Sequence, residues 1–136
     1  MKSDTDIQSK ALAVLRVVVG VVFLMHGGQK LFVLGIQGVA GFMEHLHIPL
    51  PMAAAVVLTA VEFLGGAALV VGLFTRWAAS LIAFDMAMAI LLVKWSGGFF
   101  NPSGFEYELT LLTASLVLAL AGPGAASVDG ALAKRE

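Results

Sequence analysis

Seven ionisable side chains stand within or at the edge of apolar runs in this chain: Arg16, Lys30, Glu62, Asp85, Lys94, Glu106 and Glu108. An uncompensated charge at the centre of a bilayer costs about 2.5–3.5 kcal/mol on insertion scales, so such groups are kept when they pair, hold a proton or bind something. Glu62 and Asp85 each lie near the middle of an apolar run, which places them at one depth. Two carboxylates facing each other repel, so at least one is expected to be protonated or bridged to a cation. That arrangement suits proton handling or hydrogen bonding to a ligand's polar head. The plainer reading makes each carboxyl a hydrogen-bonding link between helices.

The densest polar cluster is His26-Gly27-Gly28-Gln29-Lys30. An imidazole, an ammonium and backbone N–H groups freed by the paired glycines could together hold a carbonyl, a quinone or an anion. Arg16, Gly20, Phe23, Gly27 and Lys30 form one stripe at helical spacing, expected to face partner helices rather than lipid. The alternative is that Arg16 and Lys30 snorkel to the two interfaces. Gly65 and Gly66 follow Glu62 by three and four positions, and small residues there let another helix approach closely. Glu106 and Glu108 are two apart and so point to different faces. Glu106 shares its face with Thr110 and Thr113 and Glu108 with Ser115, so periodicity does not choose between them.

Other chemistries find less support. His45 and His47 flank Leu46 beside Glu44, but no further ligands accompany them, and no metal site is expected. Met86 and Met88 lack the partners of a copper site and read as packing residues. Neither a phosphate-binding glycine loop nor a nucleophile–base pair is recognisable, so no catalytic residue is assigned.

The elements that must position these groups follow from composition. Of 136 residues 60% are hydrophobic and 12% charged, with mean hydropathy +0.96, against about 45–50% apolar and about 25% charged in a typical soluble domain. So little polar side chain cannot cover a water-facing surface, and the lipid bilayer is the expected surrounding. A formal net charge of -1 provides no basic field, which excludes nucleic-acid binding. The absence of cysteine excludes disulfides, thiol redox centres, iron–sulfur clusters and thiolate zinc sites. No intrinsic cofactor is evident, and redox chemistry would have to be borrowed.

A bilayer core of about 30 Å needs about 20 helical residues. Four runs meet or approach this length, predicting an all-α integral membrane protein: one domain over 1–136, a four-transmembrane-helix bundle with helices roughly at 11–34, 52–74, 77–94 and 105–121. The connections 35–51, 75–76 and 96–104 read as loops and a tight turn, and Gly122-Pro123-Gly124 ends the last helix. No small-x-small cleavage site follows the first apolar run, so a retained helix is expected rather than a cleaved signal. Lys2, Lys10, Arg16, Arg76, Lys134 and Arg135 lie at the termini or the second connection, so the positive-inside rule puts both termini in the cytoplasm. Trp77 and Trp95 then fall at the inner and outer interfaces.

The order Arg16, His26-Gly27-x-x-Lys30, Glu62 with Gly65-Gly66, Gly72-Leu73-Phe74-Thr75-Arg76, Tyr107-Glu108-Leu109, Gly122-Pro123-Gly124 and Ser127 to Asp129 resembles the DoxX family of small bacterial membrane proteins. The likeness runs from about Arg16 to Asp129. It implies a four-helix protein of the bacterial inner (plasma) membrane, grouped with DoxD-type quinone oxidoreductase subunits and membrane redox complexes. It also implies that Glu108, rather than Glu106, is a characteristic residue. Wider relatives carry paired cysteines for thiol chemistry, which this chain lacks.

Three functions fit. One is a redox-associated subunit of a quinone-linked oxidoreductase, binding a quinone or similar apolar carbonyl compound in the bundle and taking electrons from a redox partner protein. Arg16, His26, Lys30, Glu62, Asp85 and Glu108 are its candidate ligand-binding or proton-handling residues. Another is a small-molecule or proton-coupled transporter, acting as a homo-oligomer, with the Glu62–Asp85 pair at its centre. The last is a noncatalytic membrane assembly factor in which the polar groups hold helices or a partner together.

Overall fold

The computed structural model describes residues 2–136, with side chains from Ser3 onward; Met1 of the expected domain lies outside the described residues. Helix α1 (Lys2–Gln29) runs into a π-helical turn (Lys30–Leu34) and then α2 (Gly35–His45). Helix α3 covers Pro51–Val71, and α4 (Thr75–Ala89) continues through a second π-helical turn (Ile90–Lys94) and a 3-10 turn (Trp95–Gly97). Helices α5 (Glu106–Ala121) and α6 (Val128–Ala133) complete the chain. No strand occurs among the described residues, and the protein is a membrane-type helical bundle.

Three helical stretches, Ser3–His45, Pro51–Val71 and Thr75–Gly97, are long and apolar enough to cross a membrane. The first bends at Gly35, whose φ of 74° and ψ of 156° lie in a region open essentially to glycine, so α2 leaves the axis of α1. Helix α5 has 16 residues, about 24 Å of rise, less than a full hydrocarbon core.

Successive long helices alternate in direction, with α1 packed on α3, α3 on α4 and α4 on α5. The seam between α1 and α3 is a backbone-to-backbone contact. A Cβ on Gly66 would stand 2.3 Å from Leu24 N, and one on Gly27 would stand 2.4 Å from Phe63 N. The Arg16–Lys30 stripe faces this packing: Arg16, Gly20, Phe23 and Gly27 are buried and Lys30 half-buried. Val19, Phe23, Leu69, Ile82 and Leu118 fill the bundle axis.

Two connections differ from expectation. The 35–51 stretch, read as a loop for its glycines and prolines, contains α2, because Val39, Ala40 and Met43 gain a core by packing with Ala55 of α3. That tertiary contact outweighs the low helix propensity of Gly38 and Gly41. Thr75 and Arg76 are not a turn but open α4; the reversal lies at Gly72–Phe74, where Gly72 (φ 73°) and Phe74 (φ 48°) are left-handed. Helix α6 lies beyond the last predicted helix, which ends at 121. Asp129 on it accepts hydrogen bonds from Phe74 N at 2.7 Å and Thr75 N at 2.9 Å, capping α4 from 54 residues away in sequence.

The end of the bundle that carries both termini is tied by cations. Arg16 donates to the carbonyls of Pro123 (2.7 Å), Ala125 (3.2 Å) and Ala126 (3.0 Å). Arg76 donates to the carbonyls of Ala119 and Leu120 at the C-terminal end of α5, where the helix dipole favours a positive charge.

Candidate functional site

At the opposite end, all four long helices contribute to one cavity of about 560 Å³. Its walls are mostly apolar, drawn from α2, α3 and α4, and five charged groups face into it: Lys30, Glu62, Asp85, Lys94 and Glu108. Lys30 Nζ lies 2.6 Å from Glu62 Oε2, with the two side chains 21% and 5% exposed. Asp85 of α4 faces the same pair, its carboxyl within hydrogen-bond reach of Glu62 and in electrostatic range of Lys30. The two central carboxyls thus meet a cation, the arrangement that mutual repulsion demanded. Lys30 neither snorkels outward nor stays free.

A second pair stands across the cavity. Lys94 Nζ is 3.6 Å from Glu108 Oε1 and donates to the carbonyl of Pro102 at 2.8 Å. Glu106 faces elsewhere: its Oε1 accepts from Asn101 N at 2.9 Å and fastens the 98–106 loop. The structure therefore assigns the inward position to Glu108. Buried oxygens on both Asp85 (Oδ2) and Glu108 (Oε2) have no hydrogen-bond partner. Leaving an acceptor dry and unmatched costs about 1–3 kcal/mol, so these atoms are open positions for a donor.

His26 stands at the rim. Its Nδ1 lies 2.8 Å from Val22 O, which uses Nδ1–H as donor and leaves Nε2 as an acceptor. Its ring is 6.4 Å from that of Tyr107, which also lines the cavity. Gly27 and Gly28 lie inside α1, so their N–H groups are spent in the helix rather than offered to a ligand. Gly27 serves close approach to the backbone of Phe63 instead. Arg16 sits 14 residues from Lys30, about 21 Å along the helix, in the carbonyl cluster at the far end. It belongs to a different part of the molecule from the other candidates.

Lys94 stands among the seven ionisable residues within or at the edge of the apolar runs, but neither it nor Tyr107 is among the six candidate ligand-binding residues drawn from sequence. Lys94 closes the predicted helix 77–94, and nothing in its spacing announces a π-helical turn. Both site lysines occupy such turns, Lys30 opening the first and Lys94 closing the second. A π-helical turn inserts one residue into the helix and re-aims the side chains around it, and it recurs at functional sites.

Comparisons with known proteins agree on one family. The DoxX family model matches residues 11–95. The chain is 37% identical over 116 residues to a Bacillus subtilis protein named "Putative oxidoreductase CatD", covering 85% of this chain and 81% of that one. It is 31% identical over 124 residues to the inner membrane protein YphA of Escherichia coli, covering 87% of each. With the inner membrane protein YqjF of the same organism it shares 32% identity over 136 residues, 99% of each chain. No solved structure matches.

Proposed function

The chain belongs to the DoxX family, and from that premise we propose that its cavity binds a quinone or similar apolar carbonyl compound as part of a membrane redox system. The observation that carries this reading is the pairing of apolar walls with two largely shielded lysine–carboxylate pairs, Lys30–Glu62, with Glu62 buried, and the half-buried Lys94–Glu108, in one cavity. Apolar walls favour a ring, while a few fixed polar groups orient its oxygens. Lys30 and Lys94 supply donors to carbonyl oxygens; Asp85 Oδ2 and Glu108 Oε2 supply acceptors for hydroxyls. The cluster has two ammonium groups and three carboxyls, so it is neutral when it holds one proton, and that proton is available to an oxygen that gains charge. Electrons come from a partner protein, since the chain has no cysteine to carry a two-electron exchange itself. The oxidoreductase name of the Bacillus relative supports the same reading.

The cytoplasmic inner-membrane topology expected from the basic residues fits this reading. With α5 as a fourth crossing helix, the termini and Arg76 face the cytoplasm and the cavity opens in the outer half. Below the carboxyls the axis is closed by Phe23, Leu69, Ile82 and Leu118, which favours a one-ended binding site over a transport path. The test is quenching of tryptophan fluorescence by added quinone in the purified, nanodisc-embedded protein. Saturable quenching that is lost in Glu62→Gln supports the reading; unsaturable quenching, equal in both proteins, overturns it.

A further inference from the structure

Beside the cavity runs a second concavity of about 760 Å³, on the outer flank of α1 and its π-helical turn. Its walls are mostly apolar, from Leu24, Met25, Phe32, Val33 and Phe63 with Gly28 between them; Gln29 and His26 are its polar residues, and His26 is shared with the first cavity. Met25, Phe32 and Val33 are exposed, so on a membrane-spanning helix this groove looks into the hydrocarbon region. Phe32 stands edge-on to Phe63, ring centres 6.1 Å apart, forming one wall. Its floor is Gly28, whose missing side chain leaves open space: a Cβ there would meet nothing closer than Phe63 Cε2 at 3.8 Å. Gly27, next to it, is by contrast pressed against the backbone of α3. A glycine inside a helix costs about 1 kcal/mol against alanine, and at Gly28 helix packing does not require it.

We infer that this groove holds the apolar tail of the compound whose polar head occupies the cavity, so that the ligand class is a tailed, membrane-dissolved carbonyl lipid rather than a free ring. The inference rests on the head-group reading of the cavity. The cavity has polar groups for a head and no long exit on its own axis, which the core residues close. Toward water, Phe42, Met43, Leu46 and Ile48 of α2 and the turn after it line the cavity. The groove past His26 is mostly apolar, faces lipid and meets the site at that residue, which lines both, as a tail would require. His26 is the positioning residue at the neck, with Nε2 left to accept a hydrogen bond from a head-group hydroxyl.

The experiment compares decyl-ubiquinone with its tail-less dimethoxy-methyl-benzoquinone ring on the wild type and on Gly28→Leu, by tryptophan quenching in nanodiscs. Leucine has the better helix propensity and fills the groove without a backbone clash, so the variant folds. Phe32→Ala, which removes an exposed wall, is the second variant. Each methylene taken out of contact costs about a fourfold loss in affinity at about 0.8 kcal/mol per buried CH₂. Displacing two or more is therefore expected to weaken decyl-ubiquinone by at least about tenfold and leave the ring unchanged. Equal affinities of wild type and both variants for decyl-ubiquinone, with the ring still bound, would overturn the tail site while the head-group reading stands. Absence of saturable binding for both compounds in the wild type would overturn the head-group reading and the tail site with it.

Discussion

Lys30 Nζ and Glu62 Oε2 lie 2.6 Å apart across the seam between α1 and α3, 32 positions apart in sequence and both shielded from solvent. A buried pair of this kind contributes little against an apolar replacement, but removing one partner strands the other, at about 3–5 kcal/mol. Lys30→Met is therefore expected to lower thermal stability sharply in detergent, because Glu62 and Asp85 are then left without their cation. Lys30→Met combined with Glu62→Gln is expected to recover most of the loss. A double-mutant cycle in thermal unfolding measures it, and additive losses would show that the two side chains do not act as a pair.

The seam itself makes the next prediction. Gly66→Ala puts a methyl 2.3 Å from Leu24 N and 2.8 Å from the Gly20 carbonyl, backbone atoms that cannot swing aside. Separating α1 from α3 to relieve this costs more than about 2 kcal/mol and pulls Lys30 from Glu62. Gly41→Ala in α2 meets no heavy atom within 4 Å and gains about 0.5–1 kcal/mol of helix propensity. Opposite shifts in melting temperature are expected from two substitutions of the same kind, and shifts of one sign would contradict the packing.

What the sequence disclosed and what it hid divide along physical lines. The Arg16–Lys30 stripe, the small residues after Glu62 and the meeting of carboxyl with cation were legible because helical periodicity and charge repulsion act on residues near in sequence or equal in depth. The choice of Glu108 over Glu106 was not legible from periodicity, since both faces of α5 carry polar residues and the decision falls to Lys94 and to Asn101. Lys94 was visible as a charge at the end of an apolar run, but its aim into the cavity goes with a π-helical turn, a local change of register with no compositional mark. Helix α2 was hidden because its stability comes from Ala55 of α3 rather than from its own glycine-rich run. Arg16 was placed on the right stripe, but its carbonyl partners lie 107 to 110 residues on, beyond anything spacing can reach.

The division of labour between the two glutamates is open to direct test. Glu108→Gln removes the charge partner of Lys94 inside the cavity, whereas Glu106→Gln keeps an oxygen able to accept from Asn101 N. Quinone affinity is expected to fall about tenfold or more in Glu108→Gln, the scale of one lost charge-assisted hydrogen bond, and to stay within about twofold in Glu106→Gln. A larger effect at Glu106 would relocate the binding face of α5.

At the α3–α4 reversal, Asp129 holds two N–H groups that the helix itself leaves unpaired, one of them on a residue in the left-handed region. Asp129→Ala is expected to cost about 1–2 kcal/mol, a helix cap's share. Phe74 is largely exposed and contributes little packing there, so Phe74→Gly relieves about 1 kcal/mol of left-handed strain and is expected to raise stability slightly. Loss of stability in Phe74→Gly beyond that of Asp129→Ala would mean that the aromatic ring, and not the backbone, fixes this turn.

Arg16 closes the same end by a means that only a guanidinium provides. Its Nη1 bonds Pro123 and Ala125 and its Nη2 bonds Ala126, so two nitrogens of one rigid fork satisfy three carbonyls of a segment with no helix of its own. The side chain is 2% exposed, and a lysine at that depth would bring the same charge on one nitrogen, without the fork that spans all three acceptors. Arg16→Lys is therefore expected to release residues 123–136 from the bundle while leaving the cavity, about 21 Å away along α1, intact. Limited proteolysis from the terminal side should then cleave the variant near Ala125 and Ala126 under conditions that leave the wild type whole, with quinone quenching unchanged. If quenching falls in step with cleavage, the terminal clasp and the cavity are coupled through α1 rather than separate.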